Sequence, residues 1–272
     1  VNNRLLISAI AIAVAGTACL FGCQKKPEAP ERTGGISTIV SEPEKQHFHF
    51  TEHEDKNPER STTAEGEIII TNTCEEVSFV PFNRADNEAS KAMNSVLNKA
   101  IDNHSKTASD LLEDANAYIN NGAIDPEYLP WETKIDYSCV RNDGKAISII
   151  ETADFYAAGK LEGTTVRTYN FVPLTGKQLT NIFYTDKASL DEIDDYVYKK
   201  LIEKYGEESG ITYEMPSLSS MIDEALDSWY FTETGVKLIY NPGSIAPIEN
   251  GSFELELTKQ ELPESAHEYF NK

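Results

Sequence analysis

Basic residues are scarce: 24 Lys and Arg stand against 45 Asp and Glu, and the 272 residues carry a formal charge of −21. Phosphate backbones are held by clustered Lys and Arg, so nucleic acid is excluded as a partner, and the bulk of the surface repels anionic headgroups. A basic partner is attracted instead, with an association rate that falls as salt rises. Histidine is scarce as well: three of the five sit in "HFHFTEH" (His47, His49, His53), leaving His104 and His267 for the rest of the chain. There is no Gly-x-Ser-x-Gly elbow, no His-Glu-x-x-His and no Gly-rich phosphate loop, which removes nucleophile-elbow hydrolases, zincins and P-loop enzymes. Acidic runs such as Asp191-Glu192 and Asp194-Asp195 read as solvated helix faces, while a carboxylate pair for glycan hydrolysis stays open as the alternative in so acidic a chain. The chemistry expected is therefore non-catalytic, with no cofactor and no metal.

Long apolar runs are also rare, and the one strong example opens the chain. Arg4 precedes an apolar stretch from Leu5 to Ala18, followed by Cys19-Leu20-Phe21-Gly22-Cys23. A basic start, about 14 apolar residues and small residues before a break have the layout of a secretory signal, and are short for a membrane span. Leu20 three residues before Cys23, with Gly22 between, resembles the lipobox of bacterial lipoproteins; the alternative is an uncleaved anchor helix. The resemblance implies cleavage before Cys23, acylation of its thiol and its new amino terminus, and a permanent tie to a lipid bilayer, because several acyl chains hold far more firmly than one. It places the protein in an extracytoplasmic space, on the outer membrane in a Gram-negative cell since Gln24 follows the cysteine. Loss of residues 1–22 removes Arg4 and no acid, so −21 becomes −22.

From Gln24 to about Gly66 the chain is rich in Pro, Glu and Thr and poor in apolar residues, as in "KKPEAPERTGG". Such a stretch buries too little to offset the entropy of ordering and reads as a tether. The alternating histidines inside it read as part of the tether or as a short strand capping the domain rather than as a metal site. The domain limits expected are 1–22 for the signal, 23–66 for the tether, and two modules at 67–164 and 165–272.

Only four cysteines are present, and with Cys19 removed and Cys23 acylated, Cys74 and Cys139 remain. In an oxidising compartment they form a disulfide candidate; two buried thiols are the competing reading.

The apolar spacing after Gly66 alternates between periods of two and 3.6. "EIIIT" and "EEVSFVPF" read as strands, and Ala89, Met93, Val96, Leu97, Ala100 and Ile101 form one helical stripe. A second helix is expected from Ala108 to Ile119, stopped by Asn121-Gly122. Trp131, Ile135, Tyr137 and Cys139 alternate up to an Asn142-Asp143-Gly144 turn. Ser189-Leu190-Asp191-Glu192 matches a capping box ahead of Leu190, Ile193, Val197, Leu201 and Ile202. Trp229 to Thr232, Val236 to Tyr240 and Phe253 to Leu257 close the chain as strands. The fold class expected is α+β, an antiparallel sheet with helices packed on one face.

The order "YNFVPLTGKQLTNIF", capped helix, "WYFTETGVKLIYNPGSIAPIENGSFELEL" and "KQEL" resembles the C-terminal domain of unknown function of RsiV-like extracytoplasmic proteins. The part before it is similar to the smaller module found there and in PdaC-type polysaccharide deacetylases. The resemblance implies a lysozyme-binding ectodomain. Its partner contacts would fall in two loops: Ala157 to Gly163, with Gly159, Lys160, Leu161, Glu162 and Gly163, and Asn241 to Gly251, with Asn241, Pro242, Gly243, Ser244 and Glu249. The function expected is an envelope lipoprotein that binds a basic protein such as lysozyme. The alternative is a structural or cell-wall-glycan-binding lipoprotein, with Tyr156, Tyr169, Trp229 and Tyr230 available to stack on sugar rings.

Overall fold

The structure, a computed structural model, describes residues 47–53, 59–62, 68–120, 130–184, 186–212 and 229–270. The signal segment and Cys23 lie outside these residues. No helix among them is long and apolar enough to cross a membrane.

Among the described residues, ten strands and two long helices make an α+β fold. A two-stranded sheet pairs β1 (Phe48–His53) with β4 (Glu76–Pro81), in antiparallel register. A five-stranded sheet has the order β2 (Glu59–Thr62), β3 (Ile68–Cys74), β5 (Trp131–Asn142), β6 (Ile147–Ala157), β7 (Lys160–Phe171). A three-stranded sheet has the order β10 (Phe253–Thr258), β9 (Gly235–Tyr240), β8 (Trp229–Phe231).

Two expectations need correction here. The main sheet is mixed, because β3 pairs with β5 in parallel while the other pairs are antiparallel. A parallel neighbour needs a crossover of a dozen or more residues, and β4 with helix α1 (Asn87–Asn120) provides it. The stretch read as tether up to Gly66 also supplies two strands, and Phe48 is 0% exposed in the core.

α1 is one continuous helix where two were expected. No Gly or Pro interrupts Asn103 to Ser109, and the buried stripe Ala89, Met93, Leu97, Ala100, His104, Leu111, Ala115 keeps helical spacing across the junction. Its first half packs with Phe48, Val77 and Phe79 onto Ile135, Tyr137, Ile149 and Phe171; its second half meets Ile70, Trp131 and Ala157. Burying such side chains is worth roughly 1.5–3 kcal/mol each, which is what holds the helix on the sheet.

The opposite face of the sheet receives the C-terminal part of the chain. Its core joins Ile193, Val197 and Leu201 of helix α2 (Lys187–Tyr205) to Trp229, Phe231, Leu238, Phe253 and Leu257. The cap of α2 lies earlier than expected: Asp186 is the N-cap and accepts from the Ser189 amide at 2.9 Å, while the Ser189 hydroxyl accepts from the Asp186 amide at 3.1 Å. Gly206, at φ +83°, ends the helix.

Side chains close three strand edges. Thr168 Oγ1 accepts from the Trp229 amide at 2.9 Å, Asn170 Nδ2 donates to Trp229 O at 2.6 Å, and Ser148 Oγ accepts from the Phe231 amide at 3.1 Å, which docks β8 on the sheet. The Tyr205 hydroxyl accepts from the Glu254 amide at 3.0 Å and donates to Glu254 O at 2.9 Å on the edge of β10. Asn241 closes part of β7.

Candidate partner-binding surface

The first expected contact loop is a hairpin tip. Ala158 (φ +51°) and Gly159 (φ +73°) form a two-residue turn with both central residues left-handed, the geometry that matches strand twist, and β7 starts at once with Lys160. Lys160 pairs with Glu162 at 3.2 Å, Leu161 is 47% exposed, and Gly163 faces Phe155 beside a bulge. The tip therefore presents Lys160, Leu161 and Glu162 on strand backbone.

In the second loop, Asn241 has a structural role. Its Oδ1 accepts from the Val166 amide at 2.7 Å and its Nδ2 donates to Val166 O at 2.8 Å. One carboxamide thus replaces a partner strand on β7. Ser244 is folded inward too, its hydroxyl donating to Asn241 O at 2.6 Å. Pro242 is half-buried, while Gly243 (φ +80°) and Glu249 reach the surface. The two loops do not meet: Val166 lies seven residues along β7 from Gly159, about 23 Å at strand rise.

What the second loop does join is a segment the sequence did not flag. Asn250 Nδ2 donates to Ser209 O at 2.9 Å, which seats the turn Ile248–Asn250 against Glu207–Ser209. Three exposed carboxylates, Glu207, Glu208 and Glu249, are gathered along this lip. The nearest base in sequence, Lys204, is turned to Glu254 O at 2.7 Å and to the Tyr205 ring. Only chain-distant pairing reveals this arrangement, since the two segments are about 40 residues apart.

Cys74 and Cys139 are not joined. Cys74 stands opposite Ile135, and Cys139 lies four residues further along β5, about 13 Å at strand rise, while a disulfide tolerates less than about 7 Å between Cα atoms. Burial pushes the Cys139 thiol up to about 12. Of the four aromatics considered for sugar stacking, Tyr169 (6% exposed) and Trp229 (0%) belong to the core. His49 and His53 lie on β1 and His47 just before it, and no group of three or more His, Cys, Asp or Glu among the described residues could hold a metal.

A buried polar cluster under α1 was also unreadable from the sequence. Glu151 is 2% exposed; Tyr169 donates to its Oε2 at 2.7 Å, His104 Nε2 lies 3.0 Å from the same oxygen, and Arg167 is 3.8 Å from Oε1. Burial alone would raise the Glu151 carboxyl; His104, the Tyr169 hydroxyl and Arg167 outweigh it and hold the group below the usual range. Burial, with this carboxylate alongside, raises Tyr137 and Tyr169. Glu151 and His104 are buried between helix and sheet, while the Arg167 side chain keeps 41% of its surface exposed.

Residues 180–260, which span α2 to β10, match the family described as a protein of unknown function, DUF3298. The fold is similar to the crystal structure of a DUF3298 family member from Bacteroides fragilis, with a TM-score of 0.55 and 13% identity over 83% of this chain and 98% of that one. A DUF3298 family protein from Pseudomonas aeruginosa PAO1 matches with a TM-score of 0.47 and 11% identity over 85% of this chain and 98% of that one. No curated protein matches.

Proposed function

We propose that this chain, which carries a DUF3298 domain at residues 180–260, is a non-catalytic envelope lipoprotein. Acylated at Cys23, it presents an acidic ectodomain to a basic protein partner, and lysozyme is the partner the RsiV-like resemblance implies. The observation that carries the reading is the lip of Glu207, Glu208 and Glu249, where two distant segments bring three exposed carboxylates together. It adds a local focus to a chain already at −21. Charge of one sign gathered on a rigid edge steers a basic partner and fixes its orientation, even when each contact is individually weak. The turn at Ile248 adds a side chain 47% exposed that can supply apolar contact at the centre of such an interface.

The test is calorimetric titration of the mature chain with a c-type lysozyme at physiological salt, with an equally basic unrelated protein as control. Saturable one-to-one binding to lysozyme alone supports the reading. No heat, or the same salt-quenched heat with both proteins, rejects it.

A further inference from the structure

The five exposed large hydrophobics among the described residues are not scattered. Val80 (50% exposed), Phe82 (59%) and Leu174 (71%) surround the amino-terminal end of α1, while Leu161 and Ile248 lie elsewhere. Phe82 precedes Asn83, which caps the turn Arg84–Asp86 that leads into α1, and Val80 pairs with His49, whose ring is 6.4 Å from that of Phe82. Leu174 belongs to a turn pinned on the same helix end. The Gly176 amide donates to Val172 O at 2.8 Å, and a Cβ on Gly176 would stand 2.2 Å from Ala89 O, so the two backbones are in contact.

Charge separates this end from the rest of the molecule. In residues 80–91 and 172–178, Arg84, Lys91 and Lys177 stand against Asp86 and Glu88, so three bases minus two acids leave +1 where the whole chain has −21. His47 and His49 lie beside it.

The packed fold also takes up its amino-terminal chain at this spot. The Phe82 amide donates to His47 O at 3.0 Å, so the first described residue is hydrogen-bonded to the exposed aromatic. Between Cys23 and His47 lie residues 24–46, 23 in number. An anchor at Cys23 would therefore hold this end nearer the bilayer than any other.

We propose that Val80, Phe82 and Leu174 form a second membrane contact, a lipid-facing end that rests on the bilayer interface and orients the domain. The inference rests on the reading of Cys23 as the lipid anchor. An aromatic and two aliphatic side chains on segments that also carry Arg84, Lys91 and Lys177 suit the headgroup boundary, where such groups settle about 5–10 Å deep. The contact adds little affinity to the acyl chains; its effect is orientation. The hairpin tip at Leu161 lies at the far end of β7, ten residues from Phe171 and about 33 Å away, and points off the membrane.

The experiment uses the full acylated chain in phosphatidylcholine vesicles, with and without bromines on the lipid tails. Phe82→Trp and Leu174→Trp report on the proposed contact, and Leu161→Trp on the far end; both native tryptophans are buried. Emission from the first two should fall about twofold with brominated lipid, as an indole at interfacial depth requires, while Leu161→Trp changes no more than the unsubstituted chain. Flotation with the vesicles but no quenching at residues 82 and 174 overturns the inference and leaves the anchor standing. Failure of the acylated chain to float overturns both.

Discussion

Glu151 keeps a charge where water scarcely reaches, so its neighbours decide what it contributes. Removing one partner of a buried ion pair typically costs about 3–5 kcal/mol because the other charge is left stranded. Here Tyr169 and Arg167 remain, which places His104→Ala near the lower end, about 3 kcal/mol, read as a shift in urea midpoint. The sign with pH follows from the lowered carboxyl. Stability from Glu151 is present above its unfolded value near 4.5 and is lost as pH falls through the folded one. Glu261, drawn down to about 2 chiefly by Lys200, with Tyr196 adding to it, acts in the same direction. The urea midpoint should therefore decline between about pH 4.5 and 2, and Glu261→Gln should flatten part of that decline. A midpoint indifferent to pH in this window would contradict the assignment. For the cysteines, peptide mapping of denatured, unreduced protein should find Cys74 and Cys139 each alkylated, and a peptide joining them would overturn the register of β3 on β5.

At the scale of elements, side chains stand in for missing strands. Asn241→Ala removes both hydrogen bonds to Val166 and leaves a half-buried amide and carbonyl without them. A loss of about 1–2 kcal/mol is expected, with faster hydrogen exchange at the Val166 amide, while unchanged exchange would contradict the bridging role. Arg141 joins β5 to the C-terminal part of the chain: Nη1 donates to Thr232 O at 2.9 Å, Nη2 to Tyr269 O at 2.7 Å, and Nε to Asp143 at 2.9 Å, with Phe231 and Phe270 beneath the guanidinium. Arg141→Lys keeps the charge but not the fork, so it should destabilise by about 2 kcal/mol and loosen the C-terminal turn Glu264–Tyr269 first. Local periodicity made much of this level legible. The stripe of α1, the alternation of β5 and the Asn142-Asp143-Gly144 turn all follow from spacing and turn chemistry. The parallel pairing of β3 with β5 and the ordering of Phe48 depend on partners far along the chain, which spacing does not encode. The acidic lip escaped for the same reason: Glu249 has meaning only beside Glu207 and Glu208.

At the scale of the whole molecule, charge and apolar surface divide the labour. The end where α1 begins gathers exposed apolar side chains and a slight excess of bases, while the lip at Glu207, Glu208 and Glu249 gathers carboxylates. With the anchor at Cys23, one end would rest on lipid and leave the acidic edge free for a protein partner. Association should then be governed by long-range charge, and dissociation by the contacts made after docking. The measurement that tests this most directly is the association rate with lysozyme as a function of ionic strength, for the unsubstituted chain and for Glu207→Gln, Glu208→Gln, Glu249→Gln combined. The account predicts a steep fall with salt that flattens in the triple variant, with about a tenfold slower rate at low salt. Equal rates and equal salt slopes for the two proteins, or no association by either, would contradict it.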